Sequence, residues 1–467
     1  MRQSSLLAAM QTENARTENG MVTNSSSLNA CVDLFFTIGA MRGQNKQRLI
    51  ATFTKALGED TLTAMRILFW VRDARKGAGE RQVFKDVIQY LAENHTEKLR
   101  KNLELIPFYG RWDDLLALFN TPLDKEAKAL IKNALDNKDG LCAKWMPRKG
   151  VEAIALEKYM KLSPKAYRKL LVENTKVVEQ LMCAKKWDEI TYEHVPSLAM
   201  ARYNPSFLKH DTDRFNTYKT SDNKVNASTL YPYDITKGLM FGGDKTLLTK
   251  QWNSLPNYMQ DNNERVIPIV DVSDSMTWTP ISPGLTCRDV ALSLGLYISE
   301  RNTGIFQDAF ITFSHRPSLQ YLKGSIVDRF NQLLRSDIGG NTNIEAVFQL
   351  ILDKAVQNKL PESEMPTAIL IMSDMEFDAG TSRNQTAQKM IESKYADAGY
   401  TVPKIIYWNI QSRNGNNFPV QAGKNNTALI SGFSPSILKS LLSGEDMSPV
   451  SIMNKTVHSD RYEPVTV

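Results

Sequence analysis

Apolar residues recur at three- and four-residue spacing from about Ser27 to Asn204, in amphipathic stretches joined by short polar links, which predicts a succession of helices. The stretches TLTAMRILFWVRDARKG and ERQVFKDVIQYLAENH both follow this rule and are separated by Lys76-Gly77-Ala78-Gly79, so a helix pair around a glycine turn is expected. In SPKAYRKLLVENTKVVEQLM, Ser163 stands as an N-cap with Pro164 at the first helical position, and Glu173 and Lys176 fall on one face. Between Asn204 and Asn263 the pattern dissolves into Asp, Asn, Thr, Tyr and Gly, which reads as a loop-rich connector with one helix.

After that connector the period changes. RVIPIVDV, DAFITFS, SLQYLKG, TAILIMSD, KIIYWNI and TALISG are apolar runs of strand length. They alternate with helical patterns in CRDVALSLGLYISERN, IVDRFNQLLRSD, IEAVFQLILDKAVQNKL and the stretch from Thr386 to Ala398. Continuous apolar strands separated by helices imply a mostly parallel sheet covered on both faces. The expected architecture is therefore multidomain. An all-α, HEAT-like stacked array occupies residues 1–250, with its connector at 205–250, and an α/β Rossmann-like domain occupies 251–467.

Composition changes this picture in two places. The four cysteines, Cys31, Cys142, Cys183 and Cys287, lie far apart with no C-x-x-C pair, which predicts reduced thiols and a cytoplasmic location rather than a disulfide framework. The N-terminus is polar after one short apolar turn, and no run of about 18 apolar residues follows, so neither secretion nor a membrane span is expected. Charge is uneven. Residues 1–250 hold 39 Lys and Arg against 29 Asp and Glu, a balance of +10, and the remainder hold 18 against 22, a balance of −4. A basic first half suits an anionic partner, and a solvated basic surface accounts for it equally well.

The chemistry gathers at strand ends. RVIPIVDV runs into Asp271, Ser273 and Ser275, three oxygen-bearing side chains at alternate positions; Asp374 ends TAILIMSD in the same way. Ligands of parallel sheets collect at the carboxyl ends of strands, and Thr342, in the loop GGNTN ahead of a helix, is expected at the same crevice. Gly339 and Gly340 give that loop the freedom to approach. Two carboxylates and three hydroxyls suit a hard divalent cation, Mg2+ first and Mn2+ or Ca2+ after it, far better than zinc. Few negative charges leave such an ion electrophilic, able to take a carboxylate or phosphate oxygen from a partner. A polar turn capped by Asp and Ser is the competing interpretation.

DVSDSM with GGNTN and IMSD resembles the metal-ion-dependent adhesion site of von Willebrand factor A domains, and Met276 draws it toward the Ro autoantigen branch. The resemblance implies metal contacts from Ser273, Ser275 and Thr342, with Asp271 and Asp374 binding directly or through water. One departure is Met375, where many such domains place glycine. RDARKGAGERQVF, LIPFYGRWDDLL and VPSLAMARYNPSFLKHD, with IIYWNI and LISGFSP, resemble an uncharacterised cellular and viral family that joins a Ro-like (TROVE) helical half to a von Willebrand A half. That likeness runs from about Glu18 to Gly444. The Ro branch implies a helical ring closed by the A domain, with structured or misfolded non-coding RNA as partner.

Basic and aromatic residues interleave in KWMPRKG and SPKAYRKLL, where Lys144, Arg148, Lys149, Lys165, Arg168 and Lys169 accompany Trp145 and Tyr167. Cations there neutralise phosphates while rings stack on unpaired bases; a solvated helix face with core aromatics explains the same pattern. VRDARKGAGERQ lacks the spacing of a nucleotide-binding loop, and pairing of Arg72 or Arg81 with Asp73 or Glu80 is expected. Asp113 and Asp114 read as helix-start carboxylates beside a packed Trp112.

Three functions follow. The first is a non-enzymatic Ro-like ribonucleoprotein scaffold whose metal site engages an acidic or phosphate ligand. The second is a metal-dependent protein interaction module without RNA, its partner presenting an acidic residue. A phosphoryl-transfer hydrolase ranks below both. The aspartate nucleophile of that class needs an acid two residues on, and here that position is Ser273.

Overall fold

The chain is described by a computed structural model at all residues except 1–13, 224, 226, 228, 261, 279, 314–315, 336–341, 381–383, 413–416 and 442–446. Its two compact units do not meet at a single cut near residue 250. One comprises Met1–Ile67 with Leu230–Ser459, and the other Leu68–Thr229 with Asp460–Val467.

The first unit is built on a sheet. A small antiparallel ribbon, β1 (Asn14–Arg16) and β2 (Val22–Asn24), precedes six longer partners. These are β3 (Val266–Asp271), β4 (Ala309–Phe313), β5 (Ser318–Tyr321), β6 (Ala368–Ser373), β7 (Lys404–Asn409) and β8 (Thr427–Ser431), in the order β5-β4-β3-β6-β7-β8. All pairings in that sheet are parallel except β4 with β5. Every residue of β3 and of β6 is buried, as central strands covered on both faces require. Crossover helices Cys287–Arg301, Ile344–Gln357 and Ala387–Ala398 start behind the side-chain caps Thr286, Asn343 and Thr386.

The helix Ala30–Ile38 also belongs to this unit, which explains the composition of ACVDLFFTI. Seven of its nine residues are buried, and a helix apolar on nearly every side must be covered all round. It lies on the β7–β8 edge, where Ser431 Oγ donates to Phe35 O at 2.7 Å and Asn409 Nδ2 donates to Phe36 O at 3.2 Å.

The expected loop-rich connector is instead helical. Ser197–His210 and Thr212–Thr220 lie in the second unit, Pro232–Met240 and Lys245–Asn253 in the first. The polar residues that suggested loops serve as caps: Asp244 accepts from Leu247 N at 3.0 Å, and Asp234 accepts from Tyr231 N at 2.9 Å. In the second unit the first two of these helices are held largely by large rings. Tyr192, Phe207, Phe215 and Tyr218 pack with ring centroids about 5 to 6 Å apart.

The second unit is helical, and the predicted pair appears as Thr61–Arg72, within which the division between units falls, and Gln82–Asn94. A Cβ on Gly77 would lie 1.9 Å from Trp70 O, so the turn admits only glycine there. The charged residues of this turn pair differently from expectation. Arg72 Nε donates to Asp114 Oδ2 at 2.6 Å and Arg81 Nη2 to Asp113 Oδ2 at 2.8 Å. Asp73 is committed elsewhere: it accepts from Arg75 N and holds Arg461 through two bonds of 2.8 and 3.0 Å. Asp114 also accepts from Arg111 N at the start of Trp112–Leu118, the capping role read from the sequence, while Trp112 is half-buried. Among the described residues no helix is long and apolar enough to cross a membrane.

Candidate metal centre

Adjacent parallel strands β3 and β6 end side by side, and this places Asp271 and Asp374 at one rim. Just beyond β3 the chain turns into the short helix Ser275–Trp278. Asp271 Oδ1 accepts from Ser273 N at 2.9 Å, an Asx-type bond that curls the loop back over its own strand. The result is a continuous row of side-chain oxygens. Ser273 Oγ lies 3.0 Å from Ser275 Oγ, and Ser275 Oγ donates to Asp374 Oδ2 at 3.0 Å. All four residues are buried: Asp271 0%, Ser273 2%, Ser275 8% and Asp374 4% exposed.

Thr342 is buried too, and its backbone is tied to the loop that follows Asp374, because Asp378 N donates to Thr342 O at 3.0 Å. Residues 339 and 340, to which the approach of this loop was ascribed, lie outside the described residues. Ser273, Ser275 and Asp374 are therefore linked side chain to side chain, Asp271 is linked to them through the Ser273 amide, and Thr342 meets the loop after β6 by its backbone carbonyl.

Sequence reasoning passed over Ser373. Its Oγ donates to Asp271 Oδ2 at 2.5 Å and accepts from Met375 N at 3.0 Å, so it fixes the Asp271 carboxylate and the turn after β6 together. The only signal was its place directly before Asp374. Met375, the departure noted above, adopts φ +65°, the left-handed region in which glycine is at ease, and is buried. The loop thus keeps a glycine-like backbone without a glycine.

The electrostatics are those of two carboxylates confined together. Burial, and then the neighbouring Asp374 charge, push the Asp271 carboxyl up to about 7, against the lowering effect of bonds from Ser273 and Ser373. A buried pair of this kind is relieved by a cation lodged between hydroxyl and carboxylate oxygens. The donor set fits a hard divalent ion. Among the described residues no three His, Cys, Asp or Glu side chains gather as a ligand group, so hydroxyls are needed to complete any such site.

A pH dependence follows with a definite sign. A proton on Asp271 competes with a cation, so divalent-ion affinity should climb as pH rises toward about 7 and level off above it, with proton release on binding. Titration calorimetry in two buffers of different ionisation heat would detect that release; equal heats and a flat affinity between acid and neutral pH would contradict it.

The six basic residues proposed for RNA lie in the helical unit. Lys144 is half-buried, and Arg148, Lys149, Lys165, Arg168 and Lys169 are exposed. Their aromatic companions are engaged. Tyr167 is fully buried, its hydroxyl donating to Pro147 O at 3.1 Å, and Arg111 covers one face of Trp145 at 3.7 Å from the ring centre. Base stacking on Tyr167 is therefore closed off.

Residues 265–464 match a domain of unknown function (DUF7788), and residues 17–118 and 149–267 match a second (DUF2828). Uncharacterized protein L728 of Acanthamoeba polyphaga mimivirus is 27% identical over 514 residues, spanning 97% of this chain and 88% of that protein. The crystal structure of the Deinococcus radiodurans RO (RSR) protein is similar with a TM-score of 0.49 at 14% identity, covering 92% of this chain and 99% of that one.

Proposed function

We propose that this chain is a binding scaffold whose sheet unit carries a von Willebrand A-type, metal-dependent adhesion site, and whose Ro-like, HEAT-like helical unit holds RNA. The observation that carries the first half is the row of oxygens from Ser273 through Ser275 to Asp374, backed by the buried Asp271. Mg2+ would be held there by Asp271, Ser273, Ser275, Thr342 and Asp374. Bound in such a site, it supplies a positive charge able to accept a carboxylate or phosphate oxygen from a partner.

The chain's own residues point to binding rather than turnover. Ser273 occupies the position where a phosphoryl-transfer hydrolase carries its acid, and its hydroxyl is spent on Ser275. The second half rests on the resemblance of the helical segments to Ro and on the exposed Arg148, Lys149, Lys165, Arg168 and Lys169.

A reading without RNA has its own support. Tyr167 is unavailable for stacking, and Trp278, at the end of the helix that begins with Ser275, is 67% exposed, which suits an apolar neighbour of an acidic residue on a protein partner. Both readings are tested by one set of measurements. Filter binding of a structured RNA at two salt concentrations should give an affinity that falls with salt. Capture of ligand from extract should fail in EDTA. RNA binding equal to that of a neutral control would remove the RNA half, and EDTA-insensitive capture would remove the metal half.

A further inference from the structure

The ribbon β1–β2 ends in a turn that sits on the outer side of the loop after β6. Thr17 Oγ1 donates to Phe377 O at 2.7 Å, Asn19 Nδ2 to Glu376 O at 2.6 Å and Glu18 N to Glu376 Oε2 at 2.7 Å, while Ala379 N donates back to Asn19 O at 3.1 Å. The turn is itself well made: Gly20 takes φ +90°, and Met21 N donates to Thr17 Oγ1 at 2.9 Å. Thr17 and Met21 are 6% and 2% exposed, so this is a packed contact.

The inner side of the same loop faces the oxygen row. Glu376 N donates to Asp374 Oδ1 at 3.2 Å, and Asp378 N donates to Thr342 O at 3.0 Å. Two of the five candidate ligand residues are thus held by amides of residues 376–378, and those residues are gripped from outside by residues 17–19. Glu376 links the two sides. The residue is 3% exposed, its carboxylate takes Glu18 N on one oxygen and Asn417 Nδ2 on the other at 2.7 Å each, and its amide holds Asp374.

We propose that the turn at Thr17–Asn19, acting through Glu376, is a positioning device for the metal centre: it sets the Asp374 and Thr342 loops at the spacing a divalent ion requires. The proposal rests on the metal reading above. Groups one shell outside a metal orient its ligands, and their loss weakens binding without touching a ligand.

The test is a Thr17→Val/Asn19→Ala double variant of the full chain, with Asn19→Ala alone as a milder form and Glu376→Gln as a conservative one. Mn2+ affinity by calorimetry, melting in EDTA and amide exchange at residues 376–378 are read on each. The double variant should bind Mn2+ roughly 10- to 100-fold more weakly, with faster exchange at residues 376–378. Glu376→Gln, which keeps one acceptor oxygen, should fall between it and the wild type. A lower melting temperature in EDTA with unchanged Mn2+ affinity would reduce the turn to ordinary packing and overturn the proposal while leaving the metal site intact. Absence of Mn2+ binding by the wild type would overturn the metal reading and this one with it.

Discussion

Asp271→Asn is expected to abolish divalent-ion binding while leaving the ion-free protein at least as stable as the wild type. The two effects have one cause. Asp271 is fully buried beside Asp374, and its carboxyl is raised above the ordinary carboxylate range by burial first and by that neighbour second. A carboxyl raised in the folded state favours the fold most while protonated; its contribution is lost as pH rises through the folded value of about 7. Asparagine removes the charge, keeps an acceptor for Ser273 N and places its amide against Ser373 Oγ, which can accept. In EDTA above pH 7 the variant should therefore melt at or above the wild type. In Mg2+ the order should invert. An ion at 100 times its dissociation constant stabilises the wild type by about 2.7 kcal/mol and the variant by nothing. Ser273→Ala should lose the ion as well. Unchanged Mn2+ affinity in both would end the assignment.

The second large effect lies in the helical unit. Asp114→Ala should destabilise that unit by about 3–5 kcal/mol, because it strands Arg72, whose side chain is 3% exposed, with no carboxylate partner in the interior. The aspartate also caps Trp112–Leu118 through Arg111 N, so the same change frees a helix start. Urea unfolding followed through the helical signal would measure it. Lys169→Ala serves as the contrast: its pairing with Glu173 at 3.5 Å is solvent-exposed, and its loss should leave the midpoint where it was. Equal midpoints for Asp114→Ala and Lys169→Ala would show that the buried pair contributes no more than a surface one.

What could be read from the sequence divides along physical lines. Every long strand of the sheet was visible, because β3, β6, β7 and β8 are buried on both faces and appear as unbroken apolar runs. Asp271 and Asp374 were visible for the same reason, each being the first charged group after such a run. Most of the helical structure between 205 and 253, where one helix was expected, was hidden, since Asp234 and Asp244 act as caps and rings such as Phe207, Phe215 and Tyr218 supply much of the packing in place of an apolar stripe. The partners of Arg72 and Arg81 were hidden because Asp113 and Asp114 stand more than 30 residues away, and periodicity carries no information about such pairs. The unit to which Ala30–Ile38 belongs escaped too, although its all-round apolarity was a signal that it needed more cover than a neighbouring helix provides.

That last helix has a consequence for synthesis. Phe35 O waits for a hydroxyl 396 positions further along the chain. At about 5–20 residues per second a ribosome needs roughly 20–80 s to deliver it, long enough for an uncovered apolar helix to find the wrong surface. During that interval the intervening residues 68–229 can begin to fold but cannot finish, since Asp460–Val467, which supply the Arg461 partner of Asp73, emerge later still; the nascent chain should therefore carry an exposed apolar helix and an incomplete helical unit until its last residues are made.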